Sequence, residues 1–211
     1  MSTKLNSVKL NLDDDKMTAG KAARSRYHHG DLRAALIEAG AAILAERGIE
    51  GFSLRECARR AGVSPAAPAH HFGDSRGLLT AIAARGFAAF TETLRDAQAG
   101  LKARDARLRA QGRAYVRFAR DNRAFFDLMW RSDLLNQDDA DLRQASGAAF
   151  ATLLSAVPAN AAGKPDDTQN PNAIAAWAMV HGFARLMLDG PLADAPEAFL
   201  DQVLDRIVMK V

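Results

Sequence analysis

Residues 53–72 read SLRECARRAGVSPAAPAHHF, and the punctuation of this stretch decides the fold. Ser53 followed three residues later by Glu56 is a capping box, which predicts a helix from Leu54. Leu54, Ala58 and Ala61 share one face of that helix. Gly62 supplies a left-handed stop after two turns. Ser64 and Pro65 then read as N-cap and first residue of a second short helix running to Phe72. Pro68 falls at the fourth position of that helix and predicts a distorted first turn. Two short helices joined by a tight glycine-containing turn form a helix-turn-helix.

Helical signals continue on both sides. Upstream, Asp31 is a good N-cap, Leu32, Leu36, Ala39 and Ile43 share a face, and Gly48 ends the helix. Downstream, a helix from Asp74-Ser75 carries Leu78, Leu79, Ile82, Phe87, Phe90 and Leu94. That stripe is too long for the small unit and predicts a bridge into the second half. Five further helices are read there: 105–121, a short aromatic segment through Phe125, Phe126, Met129 and Trp130, then 138–157, 173–188 and 196–209. Residues 158–171 read as a polar surface loop. Residues 173–188 are apolar nearly all round, which predicts burial on two sides. The expected fold is all-α with about nine helices, divided into an arm (1–27), a helix-turn-helix domain (28–76) and a helical domain (77–211).

Composition agrees. The 211 residues are 48% hydrophobic and 25% charged, which excludes disorder over most of the length. No run of eighteen apolar residues predicts a membrane span. The N-terminal residues lack the apolar core of a signal peptide, and Cys57 is the single cysteine, so a reducing, cytoplasmic setting is expected. Residues 1–100 carry 14 basic and 11 acidic side chains, whereas residues 101–211 carry 14 of each. The whole basic excess therefore lies in the first half, and Arg24 and Arg26 belong to a flexible arm that could reach a phosphate or a minor groove.

Residues 31–90 resemble the DNA-binding region of TetR/AcrR-family transcriptional regulators. The resemblance rests on Ser53, Ala58, Ala61, Gly62, Val63, Ser64, Phe72, Leu78 and Leu79 at the family's spacing. Trp177, His181 and Gly182 resemble the Trp-His-Gly signature of one C-terminal subclass. Ala69, Ser75 and Cys57 stand where the family usually has Tyr, Lys and Ile. The first two are phosphate-contacting positions in many members, which shifts weight to the arm, His70 and His71. The resemblance implies a homodimer through the last two helices, a palindromic double-stranded DNA operator, and an unknown small-molecule effector that releases a repressor. Half-sites would recur at about one helical turn or slightly more.

Chemistry suggests how the parts would act. Ser53 and Arg55 at a helix N-terminus suit a phosphate. Pro65, Ala66 and Ala67 offer only apolar contact to base edges, and His70 and His71 are the polar reading groups of that helix. Phe118, Phe125, Phe126, Met129, Trp130, Leu153, Trp177 and His181 are candidates to line an effector pocket, against the alternative of plain core. The arginine stripe Arg109, Arg113, Arg117 and Arg120 reads as a solvated face or as a site for an anionic effector. Gly73-Asp74-Ser75-Arg76-Gly77 spells the serine-hydrolase elbow, but that motif needs a preceding strand and a helix is predicted. The adjacent pairs His28-His29 and His70-His71 have no third ligand at metal spacing. No enzyme activity, metal or cofactor is expected. The alternative function is a helical ligand-binding protein that has lost DNA readout.

Overall fold

The computed structural model describes residues 32–157, 170–190 and 192–208, and among these there are nine helices and no strand. They are α1 (Leu32–Arg47), α2 (Leu54–Arg60), α3 (Ala67–Phe72), α4 (Ser75–Gln98), α5 (Arg104–Asp121), α6 (Arg123–Met129), α7 (Ala140–Leu154), α8 (Pro171–Asp189) and α9 (Glu197–Val208). The arm with Arg24 and Arg26, the Asp31 cap, and residues 158–169 of the expected loop lie outside the described residues.

The first unit is α1–α3 closed over the start of α4. Leu36, Ile43, Leu44, Cys57, Leu78 and Ile82 form its core, each at most 1% exposed. Gly40 lets α1 approach that core: a Cβ there would stand 2.6 Å from Ile82 Cδ1 and 3.3 Å from the Phe52 ring. Gly48, Gly62 and Gly73 take φ of 67°, 68° and 78°, so each ends its helix in the left-handed region.

Two local expectations are corrected. Ser53 is the N-cap of α2 in extended conformation, but its side chain makes no cap bond. Glu56 does not turn back to it. The carboxylate instead takes Arg59 at 2.7 and 2.8 Å and Arg60 Nε at 3.0 Å. Two guanidinium groups, Arg59 binding in bidentate fashion, offer the carboxylate three donors and opposite charge where the capping box offers one backbone N–H. Those bonds hold the Glu56 carboxyl at about 2. Arg60 continues to Glu46 at 2.6 and 2.7 Å and ties α2 to the end of α1.

The second correction concerns α3, which begins two residues later than Pro65. A tight turn, Ala67 N–H to Ser64 C=O at 3.0 Å, comes first. Ala66 is the N-cap and Pro68 falls within the first two helical positions. The amides there have no intrahelical partner, so the missing N–H costs nothing.

Asp74 caps α4 by accepting from the Gly77 amide at 2.9 Å. With 24 residues, α4 is about 36 Å long. Its first half serves the core around Ile82, and Phe87, Phe90 and Leu94 serve the helical body, where α4 packs along α5, α6 and α7. A boundary between residues 76 and 77 therefore cuts a helix that both units share.

In the body, Phe90 meets Tyr115 edge-on at 5.0 Å and lies 5.0 Å from Phe118. The arginine stripe is partly spent inside the chain: Arg109 pairs with Asp205 and Arg113 with Asp201, each at 2.5 Å. These two residues tie α9 to α5 along a half-exposed face, so they are not an open anion site. Helix α8 is likewise buried on one side only. Ala173, Ala176, Val180, Phe183, Ala184 and Met187 face the core, while Ile174 and Leu186 are 41% and 47% exposed on the opposite face.

Candidate nucleic-acid interface and core cavities

The outer surface of α2 and α3 collects the residues expected to read nucleic acid. Ser53, Arg55, Ser64, Pro65, Ala66, Ala69, His70, His71 and Ser75 are exposed, and Ala67 is half-buried. Pro68 turns inward and is buried. Arg55 makes no hydrogen bond or ion pair with another described residue, so its guanidinium is available to a ligand. Arg59 and Arg60, one turn on, are held by Glu56. The α3 surface offers methyl, methylene and imidazole groups, His70 and His71 standing edge-to-face at 5.5 Å.

Ser75 is the first residue of α4 and follows α3, not a strand. The glycines around it have mechanical roles. Gly73 turns the chain at positive φ, and a Cβ on Gly77 would collide with the carbonyl oxygen of Phe72. The motif is thus a tight corner between two helices. Among the described residues no group of three or more His, Cys, Asp or Glu is placed to hold a metal, and His28 and His29 lie outside them.

The aromatic candidates separate into three environments. Phe118, Phe125, Phe126 and Met129 are buried core. Trp130 and His181 line an open cleft of about 440 Å³ between the α1–α2 turn and α6 and α8, with Glu50, Arg131 and Arg185 on its walls. Leu153 and Trp177 line a separate cavity of about 30 Å³ enclosed by α5, α7, α8 and α9.

A hydrogen-bonded chain joins the two spaces. The Trp177 indole N–H donates to Tyr115 Oη at 3.3 Å, and Tyr115 Oη lies 2.8 Å from His181 Nδ1. Indole is a donor only, so the phenol accepts from it and gives its own proton to Nδ1. With the phenol proton so directed, His181 is assigned the tautomer protonated at Nε2. Burial, and then the nearby charge of Arg185, lower its pKa, which favours the neutral ring. Phe126 stacks on that ring at 5.5 Å and Trp130 meets it edge-on at 4.9 Å.

Sequence reading passed over Gln111 and gave Tyr115 no role beyond packing. Both are buried in the body, and Gln111 lines the smaller cavity. The signal was present: Gln111 falls in register with Leu108, Tyr115 and Phe118 on the apolar stripe of α5.

The fold and this surface define a helix-turn-helix protein: a small reading head with a free cation, carried on a helical body that encloses cavities. Residues 36–82 match the profile of bacterial regulatory proteins of the tetR family, and residues 108–208 match the tetracyclin repressor-like C-terminal domain. A protein with unknown function from Rhodococcus sp. RHA1 is 32% identical, over 87% of this chain and 95% of its own, with a TM-score of 0.70. A TetR family transcription regulator from Marinobacter aquaeolei VT8 shares the fold at 15% identity, covering 85% of this chain and 94% of its own, TM-score 0.59. So does the multidrug binding protein EbrR, solved with imidazole, at 21% identity over 83% and 93%, TM-score 0.54. No protein of curated function matches the chain. The chain belongs to the TetR family of transcription regulators, with a DNA-binding N-terminal domain; the family is one of regulators, not enzymes.

Proposed function

We propose that the protein is a dimeric, sequence-specific repressor that a small-molecule effector releases from its operator. The observation that carries this reading is the reading head itself, where Arg55 stands without a partner among the described residues beside the exposed outer surface of α3. Ser53 and Arg55 at the start of α2 would hold a phosphate. Ala66, Ala67, His70 and His71 would face base edges, with Arg24 and Arg26 of the arm in the adjacent minor groove. Shape and the arm would carry much of the specificity, since this helix has few bidentate groups.

The dimer seam would form on the outer face of α8, where Ile174, Ala175, Ala178 and Leu186 are exposed, together with half-buried Phe199 and Val203 of α9. Such an apolar strip on a folded chain marks association. EbrR holds imidazole; here the body's cavities would take the effector, with Trp130, Leu153, Trp177 and His181 on their walls. Release needs the effector to favour a second arrangement of the heads by about 1–3 kcal/mol.

The test is binding to DNA immediately upstream of the coding region at two salt concentrations. Tight binding with a steep negative salt slope, poorly competed by random DNA, is expected. Arg55→Ala should weaken binding at all sequences alike and reduce the salt slope by about one. If random-sequence selection also yields no preferred site, the departures at Ala69 and Ser75 have cost the chain its DNA readout, and a helical ligand-binding role takes its place.

A further inference from the structure

The cavity between α5, α7, α8 and α9 carries one unspent polar group. Gln111 is 1% exposed, and its Nε2 donates to the Thr152 carbonyl at 2.8 Å. That bond fixes the orientation of the amide, because a carbonyl only accepts. The other amide atom, Oε1, is buried without a partner among the described residues. A buried acceptor left unmade costs about 1–3 kcal/mol, so the group calls for an occupant. The remaining walls offer none: Leu153, Val180, Leu204 and Ile207 are aliphatic, and the Trp177 N–H is already given to Tyr115. Among the described residues no charged side chain lines the space.

We infer that this cavity is the effector site, that it takes a compact, neutral, apolar molecule bearing one N–H or O–H donor, and that Gln111 Oε1 accepts from that donor. The inference rests on the regulator reading above and names the ligand class for it. A charged ligand is excluded because its desolvation would go uncompensated among aliphatic walls.

The geometry also shows how the cavity opens. At about 30 Å³ it holds water and nothing larger. Leu204 of α9 is the movable wall: it lies so close over Gly112 that a Cβ there would stand 2.6 Å from its Cδ2. The ion pairs that fasten α9, Arg109–Asp205 and Arg113–Asp201, have side chains 36–52% exposed. Pairs of that kind are weak ties, so the main hold on α9 is the burial of Leu200, Leu204 and Ile207, and a ligand opening the cavity must replace the contacts that Leu204 gives up. Because α9 also belongs to the proposed dimer seam, a ligand that pushes Leu204 outward shifts the seam and with it the spacing of the heads.

Calorimetric titration of the full chain with phenol and with toluene, which differ in the donor and little in shape, tests this. Phenol should bind about tenfold more tightly than toluene to the natural chain. Gln111→Leu should abolish or invert that preference. The variant leaves no orphan behind, because Ser155 Oγ still donates to Thr152 O at 2.6 Å. Absence of saturable phenol binding, meaning a resident water only, overturns the inference, as does a phenol-to-toluene ratio that Gln111→Leu leaves unchanged. Operator binding measured on the same samples separates the two readings. Intact DNA binding with no phenol binding removes the cavity assignment alone. Phenol binding without any specific DNA binding removes the repressor and leaves the cavity assignment standing.

Discussion

His181 is the residue whose surroundings most restrict its chemistry. Its Nδ1 accepts from Tyr115, its ring is enclosed by Phe126 and Trp130, and Arg185 adds a like charge. All of these favour the neutral ring, so the folded state binds its proton less readily than the unfolded chain does. The folded pKa lies below the ordinary value of 6.5. Stability contributed this way is fully present above about 6.5 and is lost as pH falls from there towards the folded pKa. Urea unfolding at pH 7.5 and pH 5.5 should show a larger loss for the natural chain than for His181→Gln, which keeps an acceptor for Tyr115 but does not titrate. Equal losses in the two proteins would remove His181 from the account. His70 and His71 are exposed and identical in both, so they cancel in the comparison.

Among the elements, the corner between α3 and α4 determines how the recognition surface is presented. Gly77 sits against the backbone of Phe72, and a carbonyl oxygen cannot step aside as a flexible side chain can. Gly77→Ala should therefore destabilise by about 3 kcal/mol, the upper end of overpacking costs. Gly147→Ala is the contrasting case: it lies in α7 with open space where the Cβ would go, and should stabilise by about 0.8–1 kcal/mol through helix propensity. Thermal melts of both variants check the pair, and stabilisation by both would show that propensity and not contact governs these sites.

The corner also shows what could be read from sequence alone. Glycine stops, the Asp74 cap and the apolar stripes of α1 and α4 are local chemistry and were legible, whereas α8, apolar nearly all round, did not show which face stays outside. The start of α3 was not, because Ser64-Pro65 and Pro68 each satisfy local rules and only tertiary burial of the Pro68 ring chooses between them. Glu56 misled for a related reason. The capping-box pattern is local, whereas Arg60's link to Glu46 on α1 is a contact fourteen residues apart. Gln111 falls in register with the apolar stripe of α5, but a polar side chain flanked by Arg109 and Arg113 acquires a role only once α7 and α9 are seen to cover it.

On the scale of the whole molecule, the two faces of α8 divide the work of one helix between two surfaces. The inward face completes the body, and the outward face leaves Ile174 and Leu186 in solvent with small residues between them. Only a second copy would bury that strip and also set two reading heads at the fixed spacing that a palindromic operator demands. Leu186→Glu places a charge in the strip without touching the core. Sedimentation at micromolar concentration should show the natural chain as a dimer and Leu186→Glu as a monomer, with operator affinity falling at least about 100-fold because the second head is no longer held at high effective concentration. Leu101→Glu makes the same chemical change at another exposed leucine, 39% accessible and outside the strip, and should alter neither property. A Leu186→Glu protein that stays dimeric would move the seam off α8, and the outward push of Leu204 on α9 would then need another route to the heads.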